Sequence, residues 1–319
     1  MSSHDKLAAL AGEFLAHKRA LGRAYDTPEF VLKRYLLFME AEFPDVEIPD
    51  TESTGAFLAQ LSGRQGGLHN AMSTLREFSR YLARTGHGEA YVIPLKQSPK
   101  LRPEPPYFFE ESEIAAFFAT CDALYAANPG PACRGLVVPA QLRLLYCCGL
   151  RRKESSFLKR ADVHLADRFI DIKNSKGHKD RRIYISGELA GYLAGYDALV
   201  EEKLPGRVYF FPKKADSAYA PDFIWRHFRA VWRAAFPDKA DGRAPRVHDL
   251  RHHFAWANIN RWAREGADAN ATLPYLMHYM GHTHVRDSLY YFHFVPDFYP
   301  DFAEMAAPLD AILPEVDHG

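Results

Sequence analysis

The sequence predicts a mainly α (α+β) protein, with an N-terminal helical domain and a larger, mostly helical domain that carries a small antiparallel sheet. Three observations carry this. Apolar residues recur at helical spacing through most of the 319 residues. Strand patterning is clearest in one pair of segments around a polar turn. Between Pro99 and Pro106 four of eight residues are proline, which forbids helix and divides the chain.

The elements follow in chain order. Residues 5–18 bring Leu7, Leu10, Phe14 and Leu15 to one helical face. Asp26-Thr27-Pro28 offers a cap and a first-turn proline for a second helix running to about Phe43. A shorter apolar helix lies near 54–62, and Asn70–Arg84 forms a fourth with Met72, Leu75, Phe78 and Leu82 as its buried stripe. These helices make a domain over residues 1–96. Residues 97–106 read as an extended, proline-rich linker, and 107–319 as the second domain. Its helical patterns fall at about 111–126, 135–148, 153–159, 188–202, 222–236, 248–264 and 272–280. Arg168–Lys173 and Arg181–Ile185, with β-branched and aromatic residues, flank the turn Asn174-Ser175-Lys176-Gly177-His178-Lys179 as two antiparallel strands.

Composition narrows the function classes. An apolar fraction of 47% with 25% charged residues excludes a disordered or fibrous chain. No run of about 18 apolar residues occurs, and the start lacks a basic segment followed by an apolar one, so a soluble cytoplasmic protein is expected, with no membrane partner. Four cysteines are too few for a disulfide framework in a chain of this length, and they read as reduced core residues. Fifteen histidines raise the question of a metal, but no Cys-x-x-Cys or His-Glu-x-x-His spacing is present, and none is expected.

Forty Lys plus Arg balance forty Asp plus Glu, so the total charge says nothing for or against nucleic acid. Its distribution does. Residues 151–182 hold eleven Lys or Arg against five acids, whereas the thirty-three residues after Arg286 hold seven acids and no Lys or Arg. In the first domain Arg76, Arg80 and Arg84 recur every four residues opposite the apolar stripe, which lines up three guanidinium groups suited to a phosphate backbone or simply to solvent.

Four segments could carry chemistry. In Gly149-Leu150-Arg151-Arg152-Lys153-Glu154 a glycine ends an apolar helix and Glu154 shares a face with Arg151, which would orient the guanidinium or make an ordinary surface ion pair. The turn around Lys176 could carry an ammonium to a ligand, or be plain solvated surface. His248-Asp249-Leu250-Arg251 opens a helix, so imidazole, guanidinium and free backbone N–H groups could converge on one anion; a cap or core histidine is the bland alternative. Late in the chain, Gly281-His282 precedes Tyr290 and Tyr291, aromatic residues that could equally pack in a core.

Taken together and in this order, the segments resemble the tyrosine recombinase (phage integrase) family, whose pattern is Arg, Lys, His-x-x-Arg, Gly-His and Tyr. The motifs span about residues 107–295. Residues 1–100 are similar to the family's helical core-binding domain by architecture alone. The resemblance carries the first catalytic arginine onto Arg151 and the hairpin lysine onto Lys176, with Ser175 where glycine is usual. It carries His-x-x-Arg onto His248 and Arg251, Gly-His onto Gly281 and His282, and the nucleophile onto Tyr291, nine residues past His282, with Tyr290 as the neighbouring alternative.

The resemblance implies a site-specific recombinase in which a tyrosine oxygen attacks a DNA phosphodiester, forms a 3′-phosphotyrosyl link and releases a 5′-hydroxyl. The bond energy stays in the protein–DNA link, so no cofactor, ATP or metal is implied. A free tyrosine has a pKa of about 10, so the attack wants a base, and His248 is the candidate. Arg151 and Arg251 would bind the non-bridging oxygens, His282 would add a hydrogen bond, and Lys176 would protonate the leaving oxygen. The implied partners are double-stranded DNA and further copies, a tetramer on DNA, or companion recombinases. The tail Pro296–Gly319, which mixes apolar residues with acids, would dock as a helix on a neighbouring subunit or pack on its own domain. Rival readings are a type IB topoisomerase and a non-catalytic DNA-binding accessory of the same fold.

Overall fold

A computed structural model describes residues 2–23, 25–99, 104–131, 133–173, 175, 180–239, 244–282 and 284–291. The chain divides into two compact units, Met1–Glu104 and Pro105–Gly319, so the division falls inside the proline-rich segment.

The first unit holds α1 (Ser3–Ala20), α2 (Asp26–Glu42), α3 (Thr51–Ala59) and α4 (Gln65–Arg84). Ser2 and Asp5 cap α1 reciprocally, and Asp50 and Ser53 do the same for α3. The Asp50 cap starts α3 three residues before the apolar pattern suggests. Gly66 and Gly67 do not stop α4, which begins at Gln65, because Leu68 packs on the core and anchors the first turn. Leu7, Phe14, Tyr35, Phe57, Phe78 and Leu82 meet at the centre of this unit.

The second unit is built around α6 (Arg134–Cys148), which packs against α5 (Glu111–Ala127), α8 (Gly187–Lys203), α9 (Pro221–Ala235) and α10 (Val247–Arg264). Val137, Val138, Ala140, Leu142, Leu144 and Leu145 point to different sides of α6 and are all buried, as expected of a helix covered all round. Two short helices, α7 (Arg152–Ser156) and α12 (Val285–Leu289), and α11 (Ala269–Met280) complete the helical set described.

Three strands run antiparallel in the order β1 (Val163–His164), β2 (Phe169–Ile172), β3 (Arg181–Tyr184), with Ile170 opposite Ile183 and both buried. The two-residue β1 is too short to show alternation in the sequence, and its pairing with Ile170 and Phe169 is what makes it a strand. Against α10 and α11 a smaller cluster forms from Ala255, Ile259, Leu276, Met280 and Tyr291. Lys176 and the tail from residue 292 onward lie outside the described residues. No described helix is long and apolar enough to cross a membrane.

Candidate active site

The site starts where α6 ends. Gly149 turns the chain at φ +57°, a left-handed backbone that glycine adopts without strain, and a Cβ there would come within 2.6 Å of the Phe254 ring. The turn delivers Arg151 to the N-terminus of α7. Its backbone N–H donates to Glu154 Oε2 at 2.8 Å, and its Nη1 donates to Glu154 Oε1 at 2.9 Å.

Glu154 is the hub of this corner. Its side chain is 4% exposed and also accepts two hydrogen bonds from Arg181, each 2.9 Å, and one from Ser175 Oγ at 2.6 Å. Burial pushes its carboxyl up, but hydrogen bonds and charge from Arg181, then Ser175, outweigh that and hold it down at about 2. Ser175, which replaces the expected glycine, therefore has work here: its hydroxyl also accepts from Arg151 Nη1 at 3.1 Å.

The C-terminus of α11 gathers three arginines from three elements. Arg181 Nε on β3 donates to Tyr279 O at 2.7 Å, Arg251 Nη2 on α10 to Met280 O at 2.6 Å, and Arg151 Nη2 to Gly281 O at 3.0 Å. The last carbonyls of a helix lack internal partners and carry the negative end of its dipole, so they attract and orient cations. Arg251 is 2% exposed, and its Nη1 donates to Gly149 O at 2.6 Å. Burial, then the nearby Arg151 charge, pushes its guanidinium down to about 9, which leaves it protonated at pH 7. Among the described residues its hydrogen bonds go to carbonyls and not to a carboxylate. Among the described residues Glu154 hydrogen-bonds Arg151 and Arg181 but no carboxylate hydrogen-bonds Arg251, which leaves positive charge in excess, the arrangement that an anion completes.

Beside Arg251 and Arg151 stands a buried phenol. Tyr291 is 3% exposed, and its hydroxyl lies 3.0 Å from His252 Nδ1. Burial pushes the phenol up to about 12, against the pull of Arg251 and Arg151, so it is protonated at rest. The His282 ring lies parallel to that of Tyr291, centroids 6.3 Å apart, and its Nδ1 is 2.7 Å from the hydroxyl of fully buried Ser288. Burial, then Arg251 and Arg151, pushes His282 down to about 4, so it is neutral at pH 7. With Ser288 donating to Nδ1, the tautomer has Nε2–H free to donate. Among the described residues no group of His, Cys, Asp or Glu is placed to hold a metal ion.

Arg151, Arg251, His282 and Tyr291 thus meet. His248 lies in the same cluster, its ring 4.6 Å from that of His252, but the imidazole against the Tyr291 hydroxyl is His252, one helical turn further on. Residues four apart share a helix face, and packing decides which of them meets the Tyr291 hydroxyl. Sequence reasoning gave no part to His252, Arg181 or Ser288. His252 carried a signal in its four-residue spacing from His248; Ser288 carried none.

The arginine stripe is corrected too. Arg76 is 6% exposed and turned inward, donating from Nε to Ile93 O at 2.7 Å and from Nη2 to Pro94 O at 3.2 Å and to Ser98 Oγ. The segment after α4 folds back over it and offers carbonyls that a guanidinium satisfies. Arg80 and Arg84 are exposed.

The phage integrase family model matches residues 108–296, which include every one of these second-unit side chains. A Sinorhizobium fredii protein named integrase/recombinase y4rE is 27% identical over 280 residues, covering 86% of this chain and 87% of its own length. Tyrosine recombinase XerC of Methylobacterium nodulans is 28% identical over 253 residues, 76% of this chain and 70% of its own. In fold, the chain resembles the XerH site-specific recombinase solved with its difH substrate after cleavage, with a TM-score of 0.61 at 18% identity over 87% of this chain and 78% of that one. With more than half its length matched, the chain belongs to the phage integrase family, the tyrosine recombinases.

Proposed function

We propose that this chain breaks and rejoins DNA at specific sites through a covalent 3′-phosphotyrosyl link made by Tyr291. The observation that carries the reading is a buried phenol beside two guanidiniums, of which Arg251 hydrogen-bonds carbonyls and, among the described residues, no carboxylate. A phosphodiester supplies both the missing negative charge and the electrophile.

The Tyr291 oxygen attacks phosphorus, and the bond to the 5′-oxygen breaks. The phosphorane gains charge on its non-bridging oxygens, which Arg151 and Arg251 bind in bidentate fashion from positions already fixed by the carbonyls of α11. His248 and His282 donate to the same oxygens as neutral imidazoles. Losing one such donor costs roughly 3 kcal/mol of barrier, about two powers of ten in rate. Lys176, named by sequence resemblance, protonates the leaving 5′-oxygen. Attack by a different 5′-hydroxyl reverses the step, so one phosphoester is exchanged for another with no ATP, metal or other cofactor.

Pairing of two DNA sites calls for several copies. A solved lambda integrase is a tetramer on a Holliday junction, and a tetramer, or assembly with companion recombinases, is the arrangement we infer for this chain, acting on cytoplasmic DNA for a mobile element or in chromosome maintenance. Arg80 and Arg84 contribute phosphate contacts from the first unit.

The test uses a randomised pool of nicked duplexes and the full-length chain. Wild type should give protein-linked DNA in a denaturing gel, and Tyr291→Phe should bind DNA yet give none. Adducts that persist in Tyr291→Phe move the nucleophile elsewhere and defeat the proposal.

A further inference from the structure

We propose that His252 is a catalytic residue, the base that takes the Tyr291 phenol proton as its oxygen attacks phosphorus. This deepens the function proposed above and rests on it.

The two groups are in hydrogen-bond contact, Nδ1 to hydroxyl 3.0 Å, with ring centroids 5.6 Å apart. That is the reach a general base needs without any movement of the chain. The direction of the bond follows from chemistry. Tyr291 is a buried neutral phenol and must donate, and burial lowers the His252 pKa, so its imidazole is neutral and offers a lone pair. The charged groups around the pair are Asp249, Arg246 and Arg251 on and before α10, with Arg151 and Asp287 facing Tyr291.

Position on the helix explains why this histidine serves. Arg251 is pinned at both ends of its guanidinium, to Gly149 O and Met280 O, which holds that side chain in one orientation on α10. The next residue, His252, lies one step round the helix and reaches the Tyr291 hydroxyl just after α12. One helix turn thus aims a guanidinium at the phosphate and an imidazole at the nucleophile. His248 backs His252 edge to face at 4.6 Å and limits its ring rotation.

The step balances. The Tyr291 O–H bond breaks and its proton goes to His252 Nδ1, giving an imidazolium; the phenolate oxygen bonds to phosphorus; the bond from phosphorus to the 5′-oxygen breaks, and that oxygen takes a proton from the general acid. In rejoining, the incoming 5′-hydroxyl gives its proton to the general acid left deprotonated by the first step, its oxygen bonds to phosphorus, the bond from phosphorus to the tyrosine oxygen breaks, and His252 returns its proton to that oxygen.

The experiment measures single-turnover adduct formation by the full chain on the nicked duplexes recovered above. His252→Ala should slow it by about a hundredfold or more. His252→Asn, whose amide sits near the place of Nδ1 but cannot take a proton, should stay as slow. Added imidazole should restore the Ala variant, which also proves it folded, and a 5′-bridging sulfur, which removes the need for an acid, should not. Wild-type rates in His252→Ala, recovery in His252→Asn, or restoration by bridging sulfur would each overturn the assignment while leaving the Tyr291 mechanism standing. A wild type that forms no Tyr291 adduct defeats both.

Discussion

Replacing Glu154 by Gln removes one charge from the centre of the site and keeps its shape. The loss can be worked two ways. The folded state holds the carboxyl at about 2 against an ordinary 4.5, and at ~1.4 kcal/mol per tenfold change in proton affinity this stabilises the fold by about 3 kcal/mol. Alternatively, the change leaves Arg181, whose side chain is 4% exposed, as a buried cation without its carboxylate, a disruption that costs about 3–5 kcal/mol. The two agree. Because the folded pKa is depressed, the stabilisation is complete above about pH 4.5 and is lost as pH falls through 2. The variant should therefore be about 3 kcal/mol less stable than wild type at pH 7, and the gap should narrow between pH 4.5 and 2. Urea unfolding followed by tryptophan fluorescence reads this cleanly, since all four tryptophans lie between residues 225 and 262 in the second unit. A gap under 1 kcal/mol at pH 7, or one that does not shrink by pH 3, would refute the role given to Glu154.

Further outcomes concern the arginines of α4, Ser288 and Lys176. Arg76→Ala should cost about 1–3 kcal/mol by orphaning the carbonyls of Ile93 and Pro94, whereas Arg80→Ala and Arg84→Ala should stay within about 0.5 kcal/mol in thermal melts. Each of the latter should lower the slope of log affinity for DNA against log salt by about one, measured by fluorescence anisotropy. Ser288→Ala frees the His282 ring and should slow adduct formation by roughly tenfold, while Ser288→Thr, which keeps the hydroxyl, should restore most of the rate. Lys176→Ala should be slow on ordinary DNA and recover on a 5′-bridging phosphorothiolate, whose better leaving group needs no acid; equal slowness on both would take the acid role from Lys176.

The fold class, the helices of both units except α12 and the strand pair were legible because each rests on local periodicity: the stripe of Met72, Leu75, Phe78 and Leu82, or the alternation that buries Ile170 and Ile183. Errors came where a tertiary partner intervenes. A cap from Asp50 shifted α3, and β1 exists only through its pairing with β2.

For the site, the sequence by itself determined which functional groups were present: Arg151, His248, Arg251, His282 and Tyr291 stand in the order of the family's pattern, whatever holds them in space. Which groups touch is another matter. The inward turn of Arg76, the choice of His252 over His248 and the three arginines on successive carbonyls of α11 were decided only in the tertiary structure. The reason is geometric. Spacing along a chain sets the face of one helix, but a contact between α10 and the residues after α12 depends on how both are packed against elements distant in sequence, as the Arg251 bonds to Gly149 and Met280 illustrate.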